Sequence, residues 1–259
     1  MALKLEKLTG AEALARVAPL FANREERLIR CVLEGNGGYM WTVGTHRAAL
    51  CENGDFLFAA GDADGQRRLL ECWKNENAGR FVILIPQGDI AGIMENVFGA
   101  HAARAERYAF DSPPNDVEAL ERMTQHLPQG VVLHPFDENI CRMALDEEWS
   151  RDFCSQFESV QDYLSRGCGV AALHNGELVG GASSYIRLSD AIEIQVDTRS
   201  DWQRRGIASA CSAALILECL RRGLAPGWDA DNPVSAHLAQ KLGYRPKGAY
   251  EVWKLYQTT

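Results

Sequence analysis

The stretch best suited to chemistry is Gln203-Arg-Arg-Gly-Ile-Ala208, which follows an alternating segment and opens a long apolar run. A glycine at 206 lets the main chain approach a ligand with no side chain in the way. Small residues at Ala208, Ser209 and Ala210 keep the first turn of a helix open. The unpaired N–H groups and positive dipole end of such a helix suit a phosphate or pyrophosphate, and Arg204 and Arg205 add charge beside it. The same six residues also read as a plain helix start with two solvated arginines. Taken alone, they do not separate the two readings.

Other side chains invite the same double reading. Ala191-Ile-Glu-Ile-Gln-Val196 alternates, so Glu193 and Gln195 share one face of a strand and Ile194 and Val196 the other. With the apolar pair on the core, Glu193 points towards a cleft; otherwise it is a solvent-side glutamate. Asp197 and Asp229 are further carboxylates of this region. Asn232, with Pro233 after it, is a good helix N-cap that Ser235 could complete. Trp202 could shield phosphates or anchor the loop. Gly61-Asp-Ala-Asp-Gly65 has aspartates at alternate positions but lacks the rest of a calcium loop, so an ordinary turn is expected. The eight cysteines show no CxxC spacing and read as free buried thiols rather than zinc or redox ligands. No metal-ligand set and no Ser-His-Asp set is evident, and His174 and His237 read as surface or core residues.

The elements that must position these residues are of α/β type. Residues 80–86 (RFVILIP) form an apolar run of strand length, preceded by a strand over 55–60 and followed by a helix over 89–98 and a strand over 107–110. The start of the chain reads as a short amphipathic helix. Asp111-Ser-Pro-Pro-Asn-Asp116 is the best linker, since two prolines in a polar stretch disfavour helix. The expected division is therefore 1–116, a smaller α/β domain without recognisable chemistry, and 117–259. In the second part a helix (117–127) and a strand (131–134) precede helical stretches over 147–157 and 160–166. Strands over 169–173 and 178–185 flank Asn175-Gly176, a strong hairpin signal. A third strand (191–196), a helix (205–222) stopped by Gly223, a strand (227–230), a helix (233–242) and a last strand (249–256) follow.

With 46% hydrophobic and 24% charged residues, the 259-residue chain has ample material for a core. A net charge of −8 argues against non-specific nucleic-acid binding. No apolar run is long enough to cross a bilayer and no export signal is seen, which places the expectation in the cytoplasm.

The order hairpin, strand, Gln-x-x-Gly-x-Ala helix, strand, helix, strand resembles the GNAT superfamily of N-acetyltransferases, whose signature Gln203, Gly206 and Ala208 match. Pro226-Gly-Trp-Asp-Ala-Asp-Asn-Pro-Val-Ser235 and Leu238-Ala-Gln-Lys-Leu-Gly-Tyr244, with Thr198, are similar to a bacterial subgroup that includes zwittermicin A resistance proteins. The resemblance covers 117–259. It implies a C-terminal GNAT fold, a mixed, centrally splayed sheet flanked by helices, and an acetyl-CoA-dependent enzyme acting on a primary amine of a small molecule. The N-terminal domain's strand–helix–strand pattern admits a degenerate copy of the same fold that helps shape the acceptor site. By the same resemblance, main-chain groups around Gln195 and Val196 pair with the pantetheine arm. Amides from Arg204 through Arg205, Gly206, Ile207 and Ala208 to Ser209, after Gln203, hold the pyrophosphate. Asn232 and Ser235 face the thioester, and Glu193 serves as general base. Many relatives carry a tyrosine as general acid where this chain has Ala239. Tyr244 is then the candidate, against a plain core role, with Tyr185 more weakly supported. The alternative to an enzyme is an acyl-CoA-sensing or partner-binding protein with a relic domain.

Overall fold

The computed structural model describes residues 4–44, 47–111 and 113–256; Ser112 of the expected linker lies outside them. The chain divides into two compact units, 1–107 with 250–259, and 108–249. The last residues of the chain thus belong with the first unit, where the sequence reading assigned them to the second.

The first unit runs β1 (Glu6–Leu8), α1 (Ala11–Val17), α2 (Arg27–Leu33), β2 (Tyr39–Thr42), β3 (Ala48–Asn53), β4 (Phe56–Gly61), α3 (Ala63–Glu76), β5 (Phe81–Ile85), α4 (Ala91–Val97) and most of β6 (Ala102–Asp111). The expected amphipathic start is therefore a short strand and a helix, separated at Gly10, whose φ is +82°. Strands β1 to β4 pair antiparallel in sequence order, and β4 pairs parallel with β5. Strand β5 is buried at four of its five positions, as its unbroken apolar run requires. The expected turn at 61–65 is instead the start of α3. Asp62 is its N-cap and accepts from the Gly65 N–H at 2.8 Å. Glycine is needed at 65 because a Cβ there would lie 2.6 Å from the Ala48 Cβ.

The second unit opens with α5 (Val117–Thr124), β7 (Val131–Pro135), α6 (Glu138–Asp146), α7 (Val160–Arg166), β8 (Gly169–His174), β9 (Glu177–Arg187) and β10 (Ala191–Thr198). It continues with α8 (Ile207–Arg221), β11 (Ala225–Gly227), β12 (Asp229–Ala230), α9 (Pro233–Leu242) and β13 (Arg245–Tyr256), whose end belongs to the first unit. Its five-stranded sheet has the order β11-β10-β9-β8-β7. The helix expected over 147–157 is absent. Trp149, Phe153 and Phe157 repeat at helical spacing, but they meet edge-on as an aromatic cluster around Tyr163 from a segment with one 3₁₀ turn. The helix in this region is α6, capped by Asp137. Asn175 and Gly176 take the positive φ values, +52° and +85°, that a tight hairpin turn between right-twisted strands demands.

One face of this sheet packs on α8 through Ile207, Cys211, Leu215 and Cys219, spaced one helical turn apart, with Ile192 of β10 opposite. The other face carries the aromatic cluster. Helix α8 is buried on its outer side too, where Ala213 and Ile216 meet Leu120, Trp228 and Leu242.

Both units run hairpin, strand, helix, parallel strand, helix, strand. Each is completed by a strand from the other half of the sequence. In the first, Trp253–Tyr256 of β13 pair antiparallel with Leu84–Phe81 of β5; in the second, Asp229 and Ala230 pair with Ala109 and Tyr108 at the end of β6. All eight cysteines are free and buried. Among the described residues no helix is long and apolar enough to cross a membrane.

Candidate active site

The site begins where two parallel strands part. Strand β11 pairs with β10 only at Ala191, Ile192 and Glu193. At Trp228 the chain turns away, and Asp229 and Ala230 pair with β6 instead, so the strand expected over 227–230 is broken in two. Which residues of β10 face the gap follows from the ladder. Ala225 N–H donates to Asp190 O on the β11 side, and Arg199 N–H donates to Val179 O on the β9 side. Main-chain groups of Ile194 and Val196 therefore face the opening. This corrects the expectation for Gln195, whose main chain lies on the side of its β9 partner Ser183.

Beside this edge stands the start of α8. Gly206 is its N-cap in the left-handed conformation, φ +89°, with no side chain capping the helix. The first intrahelical bond is Ala210 N–H to Gly206 O, which leaves the N–H groups of Ile207, Ala208 and Ser209 without a protein acceptor among the described residues. Arg204, at φ +58°, makes the tight bend before it. A Cβ on residue 206 would lie 3.0 Å from His126 O, so glycine is required by both conformation and space. Gln203 Nε2 donates to Thr198 O at 3.2 Å and ties the loop to the end of β10. Trp202 anchors the loop, with the His174 ring 4.6 Å from it and the Arg205 guanidinium 4.8 Å above it.

At this corner Arg199 is paired with Glu177 and Asp201. Arg204, Arg205 and Lys241 form no direct ion pair among the described residues. Lys241, which sequence reasoning missed, reaches the same turn from α9 and donates to Ser209 Oγ at 3.2 Å. Its signal was present in the sequence only as a lysine near the end of α9, with nothing to say which element that end approached.

The carboxylates sit on the face of β10 away from α8. Ile192, Ile194 and Val196 pack against the α8 side, so Glu193, Gln195 and Asp197 project from the other face. Glu193 lies at the last paired position before the strands part, opposite a bulge in β9 at Tyr185. Bulges are common next to active sites, where they re-aim side chains. Burial pushes the Asp197 carboxyl above its ordinary range and the nearby Asp152 carboxylate adds to this, while the bond accepted from Thr198 N–H at 2.7 Å opposes it.

Tyr244, Asn232 and Ser235 each have partners within the chain. Tyr244 is buried between Trp228 and Phe110, and its hydroxyl donates to Pro226 O at 3.0 Å. It is a core residue locking β11 and not a proton donor to a ligand. Asn232 caps α9 through Ser235 N–H at 3.0 Å, and Ser235 Oγ accepts from Trp228 Nε1 at 3.2 Å. Both therefore hold the start of α9 and the Trp228 turn in place. Ala239 is fully buried. Among the described residues no group of His, Cys, Asp or Glu side chains is placed to hold a metal ion.

A family model described as GNAT acetyltransferase matches residues 18–253. The chain is 25% identical over 178 residues to an uncharacterized N-acetyltransferase, YdfB, of Bacillus subtilis (strain 168). That match covers 67% of this chain and 66% of the relative, just under two thirds of its length. A crystallographically solved GCN5-related N-acetyltransferase-like protein from Streptococcus suis 89/1591 shares 36% identity, with 95% of this chain and 99% of that one covered and a TM-score of 0.84. A tandem GNAT protein from the clavulanic acid biosynthesis pathway shares the fold at 12% identity, over 98% of each chain and with a TM-score of 0.58.

Proposed function

The chain belongs to the GNAT acetyltransferase family, and on that premise we propose that it transfers the acetyl group of acetyl-CoA to a primary amine of a small molecule. The observation that carries this is the corner of the second unit where an open strand edge meets an uncapped helix start flanked by Arg204, Arg205 and Lys241. The three N–H groups at 207–209 fit a pyrophosphate, and the edge groups of Ile194 and Val196 fit an extended amide chain laid down as an added strand. A side-chain cap or a β11 residue in the gap would have filled either place, and neither is there. The ligand so held supplies an activated acetyl thioester.

The chain's own part is positioning and proton removal. An alkylammonium has a pKa roughly three units above neutrality, so presenting it as the free amine costs about 4 kcal/mol. Glu193 takes that proton, directly or through water, at the point where the strands part. Asp197 and Asp152 on the same face supply a negative field that draws the ammonium in. Coenzyme A leaves as an alkyl thiolate, a far better leaving group than an alkoxide or an amide anion, so its departure does not require a tyrosine. This accommodates Ala239 and the core role of Tyr244. The likeness to zwittermicin A resistance proteins supports small amine-bearing compounds as the first acceptors to try.

The test is amine-dependent release of coenzyme A thiol from acetyl-CoA, screened over primary amines with the wild-type protein and Glu193→Gln. Turnover with at least one amine is expected, reduced about 10²–10⁴-fold in the variant, with acetyl-CoA affinity retained. Turnover unchanged in Glu193→Gln would remove Glu193 from the mechanism. Acetyl-CoA binding with no turnover on any amine would favour the sensing alternative.

A further inference from the structure

In the first unit, the features that make the corner of the second unit receptive are filled by the chain itself. Strand β5 pairs with β4 only at Phe56, Leu57 and Phe58, after which β4 runs on to Gly61 paired with β3 on its other side. Ile83 N–H donates to Asp55 O, so the odd-numbered residues of β4 face the β5 side; beyond the pairing these are Ala59 and, at the open end, Gly61. Both of its main-chain groups are taken. Gly61 N–H donates to Gln87 Oε1 at 3.2 Å, and Gln66 Nε2 donates to Gly61 O at 2.8 Å and to Gln87 O at 3.3 Å. Gln66 is buried, a position where an amide side chain is retained only against the cost of its desolvation. Two glutamine side chains thus occupy the seam that an added strand would use.

The helix start is filled as well. The link from β4 to α3 is the single residue Asp62, with no loop to wrap a phosphate. Its carboxylate takes the Gly65 N–H and pairs with Arg47 at 2.7 Å. Asp64 in the first turn is held well ionised by Arg67 and Arg68. A pyrophosphate would meet two carboxylates where α8 offers three open N–H groups and three cations.

We infer that the first unit is a sealed copy of the ligand-binding fold, with Gln66, Gln87 and Asp62 as its built-in ligand, so that one chain takes one acyl-CoA, in the second unit. This rests on the reading of the second unit given above. The seal supplies the unit's missing edge and cap contacts without a cofactor. It leaves the first unit to serve by its fold and not by turnover.

Native mass spectrometry of the full chain with excess acetyl-CoA counts the sites. One acetyl-CoA per wild-type chain is expected, with an apparent Kd at least tenfold higher in Arg204→Glu/Arg205→Glu. Two per chain, or one held by the double variant with wild-type affinity, would overturn the sealed copy while leaving acyl-CoA binding intact. None on the wild type would overturn the reading of the second unit, and the inference with it. Amide hydrogen exchange at Gly61 supplies the local test. Its N–H should be protected in wild-type protein without ligand and exchange at least tenfold faster in Gln87→Ala, whether or not acetyl-CoA is present. Protection restored in that variant by acetyl-CoA would show an open site and contradict the seal.

Discussion

At the scale of single residues, Asp197 gives the cleanest pH signature. Its folded-state pKa is raised, chiefly by burial, so the native protein binds this proton more tightly than the unfolded chain does. The associated cost to stability is absent below the unfolded value of about 3.9 and grows as pH rises through the raised folded value. Asp197→Asn should therefore be more stable than wild type at pH 7, with the difference closing towards pH 4, as read by denaturant midpoints across that range. The same variant should raise the KM for the amine more than it lowers kcat, because it weakens the attracting field and leaves Glu193 in place. Tyr244→Phe separates core from catalytic roles in the opposite way. It should cost about 1–3 kcal/mol by orphaning the buried Pro226 carbonyl, while kcat of the folded enzyme stays within about twofold, since a tyrosine general acid is worth far more than that.

Among elements, the helix starts account for most of what the sequence disclosed and what it hid. The start of α8 was legible from Gly206 and the small residues after it, although these alone fitted a plain helix start as well as an open turn. The α9 start was legible from Asn232-Pro233 as a cap. Helix α3 was missed because Asp62 and Asp64 between glycines resemble turn chemistry, and the decisive fact, Gly65 fitting against Ala48, is a contact with another strand. The phantom helix at 147–157 has the converse cause: aromatic spacing of four was produced by a packed cluster and not by a helix. The caps can be weighed directly. Asp62→Ala and Asn232→Ala should each lower stability by about 1 kcal/mol in urea unfolding. Only the second should weaken acetyl-CoA binding, because only α9 brings Lys241 to Ser209.

For the whole molecule, the element order of the second unit could be read from the sequence in outline, and that of the first only in β4, β5, α4 and the end of β6. Their completion by strands from opposite halves could not, because nothing local marks Trp253 as the partner of Leu84 or Tyr108 as that of Ala230. A fragment starting near Glu118 would carry Tyr250–Tyr256 without β5, an exposed apolar strand edge prone to self-association. Such a fragment should aggregate, as seen by light scattering, where the full chain does not. Ligand linkage acts on the intact protein. Acetyl-CoA at 100 times its Kd should add about 2.7 kcal/mol to the stability of the unit that binds it.

Calorimetric titration of acetyl-CoA into the wild-type chain and into Arg204→Glu/Arg205→Glu, with circular dichroism to confirm folding, bears most directly on the α8 corner as the acyl-CoA site. Saturable binding by the wild type is expected, weakening with added salt as the phosphates' contacts are screened and at least tenfold weaker in the folded double variant. Equal binding by both proteins, or none by the folded wild type, would contradict it.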